Sequence, residues 1–130
     1  MAADILPFQV FARSSKGLIA RIILPTNVAA VKNDIDSISY EAIDKTGSDP
    51  VLTGSIDPDE VMFGSLQPWS KDPLGFNFLW AADGNLWPDP DKRYNIKITF
   101  TIVTPFTAKP SLAGKSFILV YEANTKSPDG

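Results

Sequence analysis

The chain contains no cysteine and no histidine. Without cysteine, its stability owes nothing to disulfides or thiolate-bound metal, and nothing marks its redox compartment. Without histidine, it lacks the usual general base near neutral pH and the commonest metal ligand. Nucleophilic chemistry would then rest on Ser–Lys or carboxylate arrangements. Ser15-Lys16, Ser70-Lys71 and Lys115-Ser116 are adjacent in sequence, and neighbours on a strand point to opposite faces. Phosphate-cradling glycine patterns are missing, as is any apolar run long enough to span a membrane. The opening MAADILPFQVFARSS does not read as a signal peptide: it lacks a basic start, and Asp4, Pro7 and Gln9 interrupt its apolar run. The expectation is a non-enzyme with no cofactor and no metal.

What is present is one dominant strand. In Arg93–Thr104, Tyr94, Ile96, Ile98, Phe100 and Ile102 alternate with Asn95, Lys97, Thr99 and Thr101. Strict period two over that length marks a strand with one buried face, and its β-branched residues fit a pleated surface better than a helix. The 130 residues suffice for one domain with a real core. Net charge is −3, which speaks against nucleic acid as a direct partner. The charge is unevenly spread. Residues 1–32 carry four bases against one acid, residues 33–93 four bases against twelve acids, and residues 94–130 four bases against two acids. A basic leader before an acidic body points to a contact with an acidic surface elsewhere.

Around the central strand the chain divides into three parts. Residues 1–16 combine Ile5, Leu6, Phe8, Val10 and Phe11 with Pro7 and a polar close at Arg13–Lys16. Poor alternation and Pro7 make this an extended N-terminal arm reaching a neighbouring subunit, or else a first edge strand of the same domain. Residues 17–123 carry the strands. GLIARIIL places Leu18, Ala20, Ile22 and Leu24 on one face, with an apolar second face around Arg21 that predicts cover on both sides or an interface. Asp34–Asp44 and Val51–Ile56 form a hairpin. Asp57-Pro58-Asp59-Glu60 opens another turn, or one turn of helix with Asp57 as its cap. Val61–Phe63 is a short apolar piece, and Gln67–Pro73 reads as loop. Gly75–Trp80 is a strand, with Leu86 and Trp87 plugging the end of the core. Lys115–Ala123 is the last strand, paired with the central one. Residues 124–130 read as a flexible tail. Six or seven strands, frequent turns and no long helix predict an all-β antiparallel β-sandwich.

Two further constellations are available for binding. The acids cluster in turns, at Asp57, Asp59, Glu60, Asp83, Asp89 and Asp91, where Asp commonly caps backbone amides; calcium is the other reading of such oxygens. Trp69, Trp80 and Trp87, with Tyr40, Tyr94 and Tyr121, could line a sugar platform, although aromatics on alternating strand positions are usually core. On this reading Trp80 and Tyr94 are core, and Trp69 and Trp87 seal loops.

Tyr94 opens the penultimate strand after a Pro-rich turn following Leu86 and Pro88, which resembles the tyrosine corner of immunoglobulin-like domains. The order of segments covers most of residues 17–123: GLIARIIL, DIDSISYEAID, a Gly-Ser turn, VLTGSIDPDEVMF, a Trp in a polar loop, GFNF and a Tyr-led strand. It resembles small immunoglobulin-like virion structural proteins of tailed bacteriophages, of the capsid decoration (cement) or neck and tail kind. That resemblance implies a non-enzymatic structural subunit of a virion assembled in the host cytoplasm. It implies the major capsid protein or other virion subunits as partners, a homo-oligomer, and no membrane. The residues expected to bind a partner are Leu6, Phe8, Phe11, Arg13, Lys16 and Arg21. The alternative is a soluble carbohydrate- or receptor-binding module.

Overall fold

A computed structural model of the chain describes residues 5–24, 32–45, 50–69, 72–107 and 109–126, with the side chains of 5–7, 50–51, 69 and 72–74 left aside. Among these residues the strands are β1 (Ile5–Phe11), β2 (Lys16–Ala20), β3 (Ile35–Asp44), β4 (Pro50–Ile56), β5 (Met62–Trp69), β6 (Asp72–Ala82), β7 (Arg93–Ile102) and β8 (Ser116–Lys126). One helical turn, α1 (Pro58–Val61), joins β4 to β5. They form two sheets, ordered β1-β8-β7-β3-β4 and β2-β6-β5. The pairs are antiparallel except for β1, which runs parallel to β8. The protein is an all-β sandwich.

The alternation of β7 becomes burial. Tyr94, Ile96, Ile98, Phe100 and Ile102 are all buried, while Asn95, Lys97, Thr99 and Thr101 lie on the outer face, half-exposed. β7 is flanked by β3 and β8, so it sits inside its sheet. Phe100 meets Phe78 of the opposite sheet edge-to-face at 5.5 Å and stacks on Phe117 of β8 at 5.1 Å. Tyr121 is a second tie between the sheets: its hydroxyl donates to the Ile19 carbonyl at 3.0 Å. Burial pushes that phenol's pKa well above its ordinary value. Tyr94 is buried, and its hydroxyl accepts from the Asp89 amide at 3.2 Å, five residues upstream. The bond ties the loop before β7 back onto that strand.

Several boundaries differ from expectation. Of the stretch expected as a loop, Gln67–Pro73, residues 67–69 belong to β5 and residues 72–73 to β6. β5 evaded the period-two pattern because its register against β6 is irregular, with partners only at Met62, Gln67 and Trp69. β8 continues through Asn124–Lys126, three residues into the expected tail, because β1 lies against it there. The expected arm is also different: Ile5–Phe11 lies along β8 of its own domain, as the edge-strand alternative had it. Phe8 turns inward against Trp87 and Tyr121, and Val10 packs on the same core. Pro7 is tolerated because this is an edge strand.

β2 stops at Ala20, yet Ile22 and Leu24 stay buried on the same face as Leu18 and Ala20. The backbone there is held by a side chain. Asn77, fully buried in β6, accepts from the Ile22 amide at 2.6 Å and donates to the Ile22 carbonyl at 2.9 Å.

Candidate functional site

The described surface offers two adjoining depressions at one end of the sandwich. The first is a corner where β1 ends and β2 begins. Ala12 and Arg13 turn the chain, and Arg13 adopts the left-handed conformation at φ 65°. The Arg13 amide donates to the Trp87 carbonyl, and its Nε donates to the Pro88 carbonyl at 3.1 Å. Trp87 is fully buried and donates its indole N–H to the Ser14 carbonyl at 2.8 Å. The corner is therefore clamped from both sides of the loop that precedes β7. Its surface is a hollow of about 410 Å³ lined by Gln9, Val10, Phe11, Ser14, Ser15, Lys16 and Lys126. Phe11 is 53% exposed, the most of any large hydrophobic side chain among the described residues.

Of the six residues expected to bind a partner, the fold brings Phe11, Arg13 and Lys16 together. Phe8 is not on that surface, because parity on β1 turns it inward. Lys16 reaches back over it, with Nζ 5.6 Å from the Phe8 ring centre. Arg21 lies beyond β2, with its guanidinium toward the Gly75 carbonyl, away from the corner. Leu6 is paired in register with Tyr121; its side chain is outside the described set. Lys126, which the sequence placed in a tail, completes the corner. Among the described residues, neither Lys16 nor Lys126 forms a salt bridge, unlike Lys45 with Glu122 at 2.9 Å and Lys92 with Asp44 at 3.0 Å.

Those two bridges tie the neighbouring strand ends of β3, β7 and β8. Lys45 holds the Glu122 carboxyl below its ordinary pKa, and Asp44 holds Lys92 above its own. A lowered carboxyl contributes stability above its unfolded value and loses it as pH falls through the folded one. A raised lysine contributes below its unfolded value and loses it as pH rises through the folded one. Both pairs are partly exposed, so the effects are small and salt-sensitive. In Lys45→Ala, the Glu122 carboxyl should titrate at higher pH than in the parent, read by carbon-13 chemical shift. An unchanged midpoint would mean that the bridge is not formed in solution.

The second depression is a groove of about 430 Å³ between the sheets, on the β4 and β5 side. It exists because β5 departs. β5 pairs with β6 only from Phe78 onward toward Asp72, so Leu79–Ala82 pair with β2 alone among the described strands. Tyr40 and Trp80 line the gap, with ring centres 5.0 Å apart. Tyr40 lies across Gly54 of β4, where any Cβ would strike its ring, so glycine here makes room for the aromatic wall. Trp80 was expected in the core; it and Tyr40 are half-buried.

Three carboxylates rim the groove: Asp57, Glu60 and Asp83. Asp57 caps α1 by accepting from the Asp59 amide, and Asp83 caps the 3-10 turn Gly84–Leu86 by accepting from the Asn85 amide, each at 2.9 Å. All three are exposed and make no salt bridge among the described residues. Asp59 is bridged to Lys32 instead. The described residues contain no group of three side chains placed to hold a metal ion. The side chain of Trp69 is outside the described set.

The two depressions adjoin. Lys16 faces Ala82 across the β2–β6 ladder, one residue before Asp83. Gly84 abuts the Arg13 backbone so closely that a Cβ would clash. One end of the domain therefore presents an apolar cationic corner beside an aromatic anionic groove. Against protein-family models, curated proteins and solved structures, the chain matches none.

Proposed function

We propose that this protein is a non-enzymatic structural subunit of a virus particle, a capsid cement or decoration protein. A neck or tail position is the near variant. The observation that carries the reading is the corner: an exposed Phe11 among Arg13, Lys16 and Lys126, on a rigidly clamped turn. An apolar anchor ringed by cations suits an acidic protein surface, where the aromatic supplies contact energy and the charges supply orientation and rate. The immunoglobulin-like part of the reading is supported by the strand order, in which β8-β7-β3-β4 faces β2-β6-β5, and by the Tyr94 bond. The order matches the two sheets of that fold, with β4 in the place of the extra strand of variable-type domains. The partners under this reading are the major capsid protein or other virion subunits. The test is immunogold labelling of density-purified particles from the source with antibody to this chain. Regular labelling is expected, and particles free of the protein would overturn the reading.

The groove favours a second reading, a carbohydrate- or receptor-binding module. Half-buried Tyr40 and Trp80 with three carboxylates nearby offer a stacking face and hydrogen-bond acceptors, the chemistry of sugar sites. Here Trp80→Ala should abolish retardation of the protein in glycan-containing affinity gels. If the parent chain is not retarded by any glycan, this second reading fails.

A further inference from the structure

We propose that two copies of this chain form a two-fold dimer through this end of the sandwich, each corner seated in the partner's groove. The proposal rests on the assembly reading above and names a second copy as one of its partners.

Charge is the first reason. The corner carries Arg13, Lys16 and Lys126, and no carboxylate lines its hollow. The groove carries Asp57, Glu60 and Asp83, and no base lines it. Lys16, Lys126, Asp57, Glu60 and Asp83 make no salt bridge within the described chain. Asp44, Lys45, Lys92 and Glu122 at this end are already paired, and Asp89, Asp91 and Arg93 line neither depression. The linings of the two depressions therefore carry opposite signs.

Shape is the second. The corner leaves a phenyl ring 53% exposed on the wall of its hollow, at the end of an edge strand. The groove is a cleft walled by Tyr40 and Trp80. An aromatic ring enters such a cleft favourably, and a flanking cation gains from the Trp80 face as well as from the carboxylates.

Adjacency is the third, and it selects the symmetry. Complementary patches on opposite poles would generate open chains. Complementary patches side by side, as here, let one two-fold axis make both contacts at once, corner to groove and groove to corner. The geometry then closes at two copies.

The experiment is sedimentation equilibrium on the full chain at several salt concentrations, with two charge-reversed variants. One is Lys16→Glu with Lys126→Glu. The other is Glu60→Lys with Asp57→Asn and Asp83→Asn, where asparagine keeps both caps and the groove becomes net positive. The parent should dimerise and weaken as salt rises. Each variant alone should dimerise about 100-fold more weakly or not at all, since both of its contacts become repulsive. An equal mixture of the two should recover a heterodimer, because each now complements the other twice. That rescue cannot come from damage to the fold. A variant that fails to fold by circular dichroism is replaced by Lys126→Glu or Glu60→Lys alone, with a smaller loss expected and the same rescue on mixing. A monomeric parent, variants that dimerise as the parent does, or a mixture that stays monomeric would each overturn the proposal. So would growth beyond the dimer. A monomer that nevertheless labels particles would sink the dimer and leave the assembly reading standing; a dimer absent from particles would do the reverse.

Discussion

Phe100→Ala should remove about 3–5 kcal/mol of folding stability, the usual cost of truncating a buried phenylalanine. The ring is fully buried on β7, edge-on to Phe78 of the opposite sheet and stacked on Phe117 of β8. The substitution therefore opens a hole at the contact between the two sheets and between two strands of one sheet. Neighbours cannot close it, because Ile98 and Ile102 on the same face are themselves fully packed. Domains of this size are stable by about 5–15 kcal/mol, so about a fifth or more of the total is at stake. Urea titration should show the midpoint falling with the slope unchanged. A loss under about 1 kcal/mol would mean that this face of β7 is not the core.

That prediction was available from sequence, because alternation is read directly from parity. Tyr94 to Ile102 face in, and every one is buried. Leu18, Ala20, Ile22 and Leu24 share a face in the sequence and are buried together. Asp57-Pro58 announced α1, and Asp57 caps it. Parity fixes which way a side chain points; it does not say whether anything closes over it. Tyr40 and Trp80 do face inward, but the opening left by β5 makes them groove walls and not core. That opening arises because β5 begins only at Met62, opposite Phe78, directly after the turn of α1, and no periodic rule anticipates it. The corner was half legible. Phe11, Arg13 and Lys16 stood out by residue type, but Lys126 joins them only through the parallel β1–β8 pairing, a contact between the two ends of the described chain. Phe8 could not be placed from the sequence, because only the fold shows that Trp87 lies beneath it.

Asn77 carries the second large effect, and nothing in the strand pattern marks it. It sits between Phe76 and Phe78, on the parity expected to face away from the core, yet it is fully buried. Its amide does for Ile22 what a neighbouring strand would do, accepting from the N–H and donating to the C=O. β2 ends two residues earlier, so these bonds keep Ile22 and Leu24 on the core after regular pairing stops. Asn77→Leu keeps the approximate volume and removes both bonds. It strands two buried backbone groups, each worth about 1–3 kcal/mol when left unsatisfied, so a loss of about 2–6 kcal/mol is expected. Asn77→Asp separates bonding from bulk. The carboxylate still accepts from the Ile22 amide, but it cannot donate to the carbonyl, and it buries a charge. Burial raises that carboxyl's pKa above its unfolded value of about 3.9. A group raised in the folded state is fully tolerated below its unfolded pKa, and stability is lost as pH rises through the folded one. The deficit of Asn77→Asp should therefore shrink as pH is lowered from about 7 to about 4, where the protonated acid can donate, while that of Asn77→Leu stays level. Parallel denaturation curves for the two variants at both pH values decide it: if their deficits move together, the Ile22 clamp is not what holds the end of β2 on the core.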